Sequence, residues 1–499
     1  MAPVPGRARP RAGLHRTPVP RLLSIRSSDP NEEARVRQSG RWPVLPVLAL
    51  AAAAALTASL PAGARAQAAG ARDAAAAANA APVASALALE TFDSAWIRIE
   101  KLHFDSTFGG LDWKAVRSEL RPRAAQVKTT GELRKLLGEL IARVGVSHYA
   151  LIPLEYSASF DPRRGGEDQE GKIADAGLEL RAVGDDVVVW RVTPDGPAAA
   201  AGVQPGSVVL DIDGFQPAAG LRNRHSLATP HEQQLALTRL LYGVNRLVQG
   251  IAGDSVKVRL SAGGQERRLT LALRPTPGQL VKFGNLPPSM VSVRQSVIAG
   301  GGAGDGCVGL ISFTSWMAPI ATAIDRAVDA VRHCQGVIID LRGNPGGVGG
   351  MVMGVGGHFV DSVKALGTMK LRGNDLRFVL NPRRVDPRGQ PVAIYAGPLA
   401  ILVDAMTAST SEIFAAGMQA IGRARVFGEL TAGQALPALA SKLPNGDILM
   451  HAIADYLVVD GTRIEGRGVI PDEVVPLSIE ALAAGRDAPL QAALGWIGY

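Results

Sequence analysis

Three hydroxyls lie close together at Thr407, Ser409 and Ser411, followed at once by Glu412 and an Ala-rich stretch with helical spacing. A serine in such a place has two uses. Ser409-x-x-Glu412 fits a capping box, in which a serine and the glutamate three residues on satisfy the first free amides of a helix. The same position suits a nucleophile, because unpaired N–H groups and the positive end of the helix dipole stabilise an oxyanion as it forms. Position alone does not decide between them. The second chemical element is "GVIIDLRGNPGGVGGMVMGVGG", from Gly336 to Gly357. A strand running into a Gly-rich loop can cradle phosphate, but this one gives G-x-G-x-x-G at no start and contains no G-K-[ST]. It can equally turn backbone N–H groups onto a carbonyl oxygen, with Asn344-Pro345-Gly346-Gly347 as the donor segment.

The rest of the chain narrows the setting. With 499 residues, 47% hydrophobic and 20% charged, it has room for several domains and a sizeable core. The net charge of +8 resides mostly in residues 1–42, where nine arginines face Asp29, Glu32 and Glu33. The remainder has no basic stripe interleaved with aromatics, so nucleic acid is not an expected partner. Residues 1–66 read as an export signal or membrane anchor. Arg41 precedes an apolar run over 43–60, and Ala64-Arg65-Ala66 is a small-x-small cleavage pattern. Cys307 and Cys334 each open an apolar strand-like run. They pair if those strands are neighbours in an oxidising compartment, and otherwise stay as two buried thiols, the reading slightly preferred.

Elements that could position the chemistry follow in order. An Ala-rich linker covers 67–87. A helical domain covers 88–157, with three amphipathic patterns, a helix start at Thr129-Thr130 with Glu132, and Ser147-His148 just past the last helix. Polar, Gly-rich residues 158–170 mark a boundary. Residues 171–275 then read as β runs flanking Asp185-Asp186, a small-residue helix from Pro197, a strand Val208–Ile212 and a closing hairpin, with a helical insertion near 221–250. From 280 to 478 short buried-strand runs ("VGLISF", "GVIIDL", "LAILVD") alternate with helical patterns, which predicts a multidomain α/β protein with a largely parallel or mixed sheet. Residues 479–499 form a C-terminal segment.

Two resemblances sharpen this. "GPAAAAGVQPGSVVLDIDG" closely resembles a PDZ-like module of the bacterial protease type. By that resemblance Gly177, Leu178, Glu179 and Leu180 form the loop whose amides receive a chain-terminal carboxylate, and an extended peptide adds to the strand that follows. Further on, Asp340-Leu341-Arg342-x-Asn344-x-Gly346-Gly347, Thr407-Ala408-Ser409-x-Ser411-Glu412, "GRARVFGE", "LPNGD" and "DGTRIEGRGVIPD" resemble the core of the S41-type serine peptidases, the tail-specific, C-terminal-processing and tricorn-like enzymes. The resemblance covers about residues 88 to 478. It implies a crotonase-like (ClpP/crotonase-type) α/β protease core, with Ser409 as nucleophile and the Thr410 amide and one from Gly346 or Gly347 as oxyanion donors. Ser411 is then a structural hydroxyl.

The proton acceptor departs from the better-known branch, which uses a Ser–Lys pair. Here Gln434 stands where that lysine is expected, and an amide nitrogen has no basic lone pair to offer. Lys442 reads as a turn-flanking surface residue. The tricorn-like branch instead uses a histidine with an adjacent serine and a distant glutamate, and Ser147, His148 and Glu465 match its motifs. His148 then takes the Ser409 proton and returns it to the leaving amine. Glu465 or Ser147 orients the ring or holds a substrate-side hydrogen bond. Taken alone, His148 reads more readily as a helix-terminal residue capping carbonyls, and His451 is its competitor.

The expectation is thus an exported, periplasmic or secreted serine endopeptidase that needs neither cofactor nor metal. Its partners are protein or peptide substrates met through their C-termini, and it touches membrane only through the leader. The alternative is an inactive PDZ-containing scaffold that binds peptides, with Gln434 marking lost chemistry. A thioester enzyme of the crotonase-like fold is a more distant reading.

Overall fold

The computed structural model describes residues 77–155, 173–299, 306–386 and 388–499. The leader expected in 1–66, the linker as far as residue 76 and the boundary at 158–170 lie outside the described residues.

Three helices open the described chain: α1 (Ser85–Leu102), α2 (Trp113–Ala124) and α3 (Thr130–Ala142). Thr129 caps α3 through the reciprocal box anticipated from Glu132. Their apolar faces enclose Phe92, Trp96, Ile99, Trp113, Leu120 and Leu137, and the same core takes in Leu443 and Leu449 from far along the chain. The helical layer is therefore joined to residues 443–449, far along the chain, by shared burial. After α3 the chain turns through Ser147-His148 into the short strand β1 (Ala150–Ile152).

The middle of the chain folds into a five-stranded antiparallel sheet in sequence order, β2 (Leu178–Val183), β3 (Asp186–Val192), β4 (Val208–Ile212), β5 (Ser255–Ala262) and β6 (Gln265–Ala272). The insertion supplies α4 (Pro230–Leu247), which packs against β2. Ala405 and Met406, which lead towards Ser409, are buried in the core of this module.

The remaining chain supplies a six-stranded sheet. Strands β7 (Val293–Ala299), β8 (Cys307–Phe313), β9 (Gly336–Asp340), β10 (Leu399–Val403), β11 (Arg425–Gly428) and β14 (Glu473–Val474) lie side by side in that order. All pairings are parallel except the edge pair β7–β8. Strands β9 and β10 are uniformly buried, as expected of parallel strands covered on both faces. Helices α5 (Ala321–Val331) and α6 (Thr410–Ala420) lie on one face. A C-terminal helix, α7 (Ala488–Ile497), covers the other, so part of the 479–499 segment packs into the core sheet. Because β9 and β10 are adjacent and parallel, the loops after Asp340 and Val403 emerge at the same end. They carry the Gly-rich segment and Ser409, the usual site position in such sheets.

A three-stranded sheet completes the site's frame. Strand β12 (Ala438–Lys442) and β1 both pair antiparallel with β13 (Ile448–Ala452), which lies between them. Strands β1 and β12 are thus parallel and two strand spacings apart, about 10 Å. Their starts lie at the same end of the sheet, which brings the turn at His148 alongside the Gln434–Ala435 segment.

Cys307 and Cys334 are joined in a disulfide, which corrects the preference for two thiols. The strands they open, or nearly open, are parallel neighbours, as the pairing required.

Candidate active site

Ser409 is the N-cap of α6, with φ 57° and ψ −120°. A non-glycine residue with positive φ persists only where its surroundings over-determine it, at a cost of about 1–3 kcal/mol. They do so here. The Ser409 amide donates to the Gln434 carbonyl at 2.8 Å and to Glu412 Oε2 at 3.0 Å. Ala408 N–H donates to Asn344 O at 3.1 Å, and Thr407 Oγ1 donates to Leu341 O at 3.0 Å. Ser411 accepts a hydrogen bond from Trp316 Nε1 at 2.8 Å in full burial, the structural role anticipated for it.

The Gly-rich loop lies directly against this turn. A Cβ built on Gly346 would lie 2.7 Å from Ser409 Cβ and 2.8 Å from the Thr410 nitrogen, so only glycine fits there. The Gly346 carbonyl accepts from Trp316 N at 2.9 Å and Ser315 Oγ at 2.6 Å. In a planar trans peptide this aims the Gly347 N–H the opposite way. The Thr410 hydroxyl donates to Gly347 O at 2.9 Å and ties the two loops together. The choice between the two glycines is narrowed. The Gly346 N–H is already engaged by Asn344 Oδ1 at 3.0 Å, which leaves the Gly347 amide, beside that of Thr410, as the candidate donor.

Glu412 does more than cap a helix. It is fully buried, and its carboxylate accepts from the amides of Ser409, Gly433 and Gln434 and from the Thr431 hydroxyl. Burial pushes its pKa up to about 7, against the lowering effect of those four bonds. The S-x-x-E spacing pointed to Glu412 only as a cap. Nothing local in the sequence signals its tie to residues 431–434, which are brought beside it by tertiary structure.

Ser147, His148 and Glu465 come together as the motifs anticipated. Ser147 donates to Glu465 twice, from its amide and from its hydroxyl, each at 2.8 Å. The Ser147 oxygen also lies 2.8 Å from His148 Nδ1. Because the serine proton is directed at Glu465, the ring must supply the proton of the second bond. A neutral His148 then carries its hydrogen on Nδ1 and leaves a lone pair on Nε2. Burial lowers the His148 pKa to about 4, which keeps the ring neutral, and it raises that of Glu465. Glu465 Oε2 also accepts from Ala435 N at 3.0 Å. An unbroken hydrogen-bonded path therefore runs from Ser409 through Gln434–Ala435 and Glu465 to Ser147 and His148.

The other candidate bases have settings of their own. His451 is buried against Ser441 Oγ at 3.0 Å, within the sheet that holds β12 and β13. Lys442 is exposed at the far end of β12. Gln434 does stand beside Ser409, but it holds that residue through its main chain. A signal that sequence reading missed is Tyr149, whose hydroxyl bonds His103 Nδ1 at 2.8 Å and anchors the left-handed turn at His148.

The expected carboxylate loop looks different from the sequence picture. Leu178, Glu179 and Leu180 belong to strand β2, and only Gly177 lies in a turn. Gly177 N–H donates to Asp175 Oδ1 at 2.7 Å, and Leu180 N–H to Asn245 Oδ1 at 2.9 Å. The Asn245 amide also donates to Leu180 O at 2.9 Å, so a helix side chain occupies the positions that an added strand would use. As for metal ligands, Cys307, His333 and Cys334 form a tight group, but the two sulfurs are bonded to each other.

The site sets a helix-capping serine against a Gly-rich loop, an arrangement that suits serine hydrolase chemistry. Residues 307–475 match Peptidase family S41, and residues 88–142 match the Tricorn protease C1 domain. The chain is 26% identical over 399 residues to the chloroplastic Carboxyl-terminal-processing peptidase 2 of Arabidopsis thaliana, covering 78% of this chain and 68% of that protein. It is 27% identical over 412 residues to a Carboxyl-terminal-processing protease of Picosynechococcus, covering 80% and 87%. Among solved structures, the photosystem II D1 C-terminal processing protease superposes with TM-score 0.52 at 22% identity, over 83% of this chain and 97% of that one. Mature CPAF complexed with lactacystin gives 0.54 at 12%, over 83% and 98%. Over residues 307–475 the chain is thus similar to Peptidase family S41, and the protein is a serine peptidase.

Proposed function

We propose that the protein is an endopeptidase of the Ser/His type, with Ser409 as nucleophile, His148 as general base and the Gly347 and Thr410 amides as oxyanion donors. The observation that carries this is the Glu465–Ser147–His148 relay, which leaves Nε2 of the ring as the available proton acceptor. Ser409 attacks the scissile carbonyl while His148 takes its proton. The tetrahedral oxyanion is met by the two amides, and the imidazolium returns the proton to the departing amine, leaving an acyl-enzyme for water to hydrolyse. Ser147 and Glu465 stabilise the imidazolium and hold its tautomer. The intact Glu465–Ser147–His148 arrangement speaks against the inactive-scaffold alternative, despite Gln434.

The division into a helical domain (88–157), a PDZ-like domain (171–275) and a crotonase-like core (280–478) is part of the same reading, supported by the separate apolar cores. So are export by the 1–66 leader, which the Cys307–Cys334 disulfide supports, and capture of substrate C-termini by the PDZ-like module. For a chain end to pair with β2, Asn245 must release Leu180. Two assays test the proposal. The Ser409→Ala variant must lose cleavage of an unfolded protein, followed by mass spectrometry. Amidating a peptide's C-terminus must raise KM if the module reads the carboxylate, and cleavage unchanged by either alteration refutes the corresponding part.

A further inference from the structure

Strand β12 is an edge strand, paired on one side only among the described residues. Its phase is set by the bonds at either end, Ile453 N–H to Pro437 O at 2.9 Å and Leu443 N–H to Asp447 O at 3.0 Å. In an antiparallel ladder hydrogen-bonded residues alternate, so Leu439 and Ser441 face β13. The peptide groups of Ala438, Ala440 and Lys442 point away from it. One contact corroborates this, since Asn285 Nδ2 donates to Ala440 O at 2.8 Å from the open side. The strand starts four residues beyond Gln434, whose carbonyl holds the Ser409 amide. Its first open peptide group, at Ala438, is thus continuous with the nucleophile's own hydrogen bonds. Ala438 and Ala440, whose peptide groups face the open side, carry small side chains.

We propose that the substrate chain binds as an added strand on this edge, pairing with the open peptide group of Ala438, and that Asn285 ends the site by taking the Ala440 carbonyl. Unpaired strand edges are ready templates for an extended chain, and main-chain pairing recognises any sequence except one that lacks the amide hydrogen. Asn285 is then a specificity-determining residue. It fixes how many substrate residues are held beside the scissile bond, rather than which ones. The inference rests on Ser409 being the nucleophile.

The test is a scan in which a peptide cleaved at one known bond carries a single N-methyl group at successive positions. The expected result is a loss in kcat/KM of about tenfold or more at a single position on one side of the bond, where the substrate amide meets the Ala438 carbonyl, with its neighbours tolerant. In Asn285→Ala a further sensitive position appears two residues farther out. A profile that is flat, or sensitive only at the two residues of the scissile bond, overturns the edge site, and a profile unchanged in Asn285→Ala overturns the role of Asn285. Failure of the nucleophile assignment is distinct, because the unmethylated peptide would then be cleaved by Ser409→Ala as well as by the wild-type protein.

Discussion

Ser147 and Glu465, 318 residues apart in the chain, are joined by two hydrogen bonds of 2.8 Å to one carboxylate. This pair ties the turn after the helical N-terminal layer to the Gln434–Ala435 segment and orients the serine proton away from His148. Glu465 serves both sides of the join, since it also holds the Ala435 amide.

Removing the middle of the relay isolates its contribution. Ser147→Ala takes away the acceptor for the His148 Nδ1 proton while leaving the ring in place. The expected result is a fall in kcat of about 10- to 100-fold with KM nearly unchanged, because the imidazolium is stabilised only as it forms. Glu465→Gln should fall further, since its amide group would face protein donors that now meet a carboxylate. Steady-state kinetics on one fluorogenic peptide measures both.

Gly346→Ala tests the closeness of the two loops. The added methyl would lie 2.7 Å from Ser409 Cβ at a glycine with φ 95°, so the loops must part. Loss of about 10²–10³ in kcat is expected, the usual effect of losing one oxyanion donor. The melting temperature should fall by only a few degrees.

The pH profile follows from burial of His148. Its folded pKa of about 4 lies below the ordinary 6.5, so the neutral ring contributes stability above pH 6.5 that is lost as pH falls through about 4. The catalytic base behaves likewise. The acid limb of kcat/KM attributable to His148 should show no inflection at 6.5 and should half-disappear near 4. An NMR titration of the His148 ring checks the assignment directly.

Reduction should weaken the protein without disarming it. The Cys307–Cys334 bridge closes a loop of 27 residues, worth about 3.5 kcal/mol of unfolded-state entropy. The double variant Cys307→Ala/Cys334→Ala should unfold at lower denaturant by about that amount. Its kcat should stay within a few-fold, since the disulfide lies at the opposite end of β8 and β9 from the Gly-rich loop.

Much of this architecture is legible in the sequence because local chemistry announces it. The Thr129 cap, the buried runs of β9 and β10 and the strand Val208–Ile212 all follow from spacing and composition. Ser147, His148, Ser409 and Glu465 stand in motifs that resemble those of the S41-type peptidases, and the fold brings them onto one hydrogen-bonded path. What escaped notice depends on where distant segments meet. Whether Gly346 or Gly347 offers its amide is decided by Asn344 and Trp316, and the fate of the β2 edge by Asn245 on a helix some sixty residues on. The disulfide needed the strand order, which sequence spacing does not give.

The central claim is that His148, and not a lysine, takes the proton from Ser409. The most direct measurement is the rate of covalent labelling by a fluorophosphonate, with the modified residue identified by mass spectrometry. The account predicts labelling confined to Ser409 in the wild-type protein and slowed by about 10²–10⁴ in a folded His148→Ala variant, the range of a lost general base. Labelling of His148→Ala at the wild-type rate, or none at all of the folded wild-type protein, would contradict it.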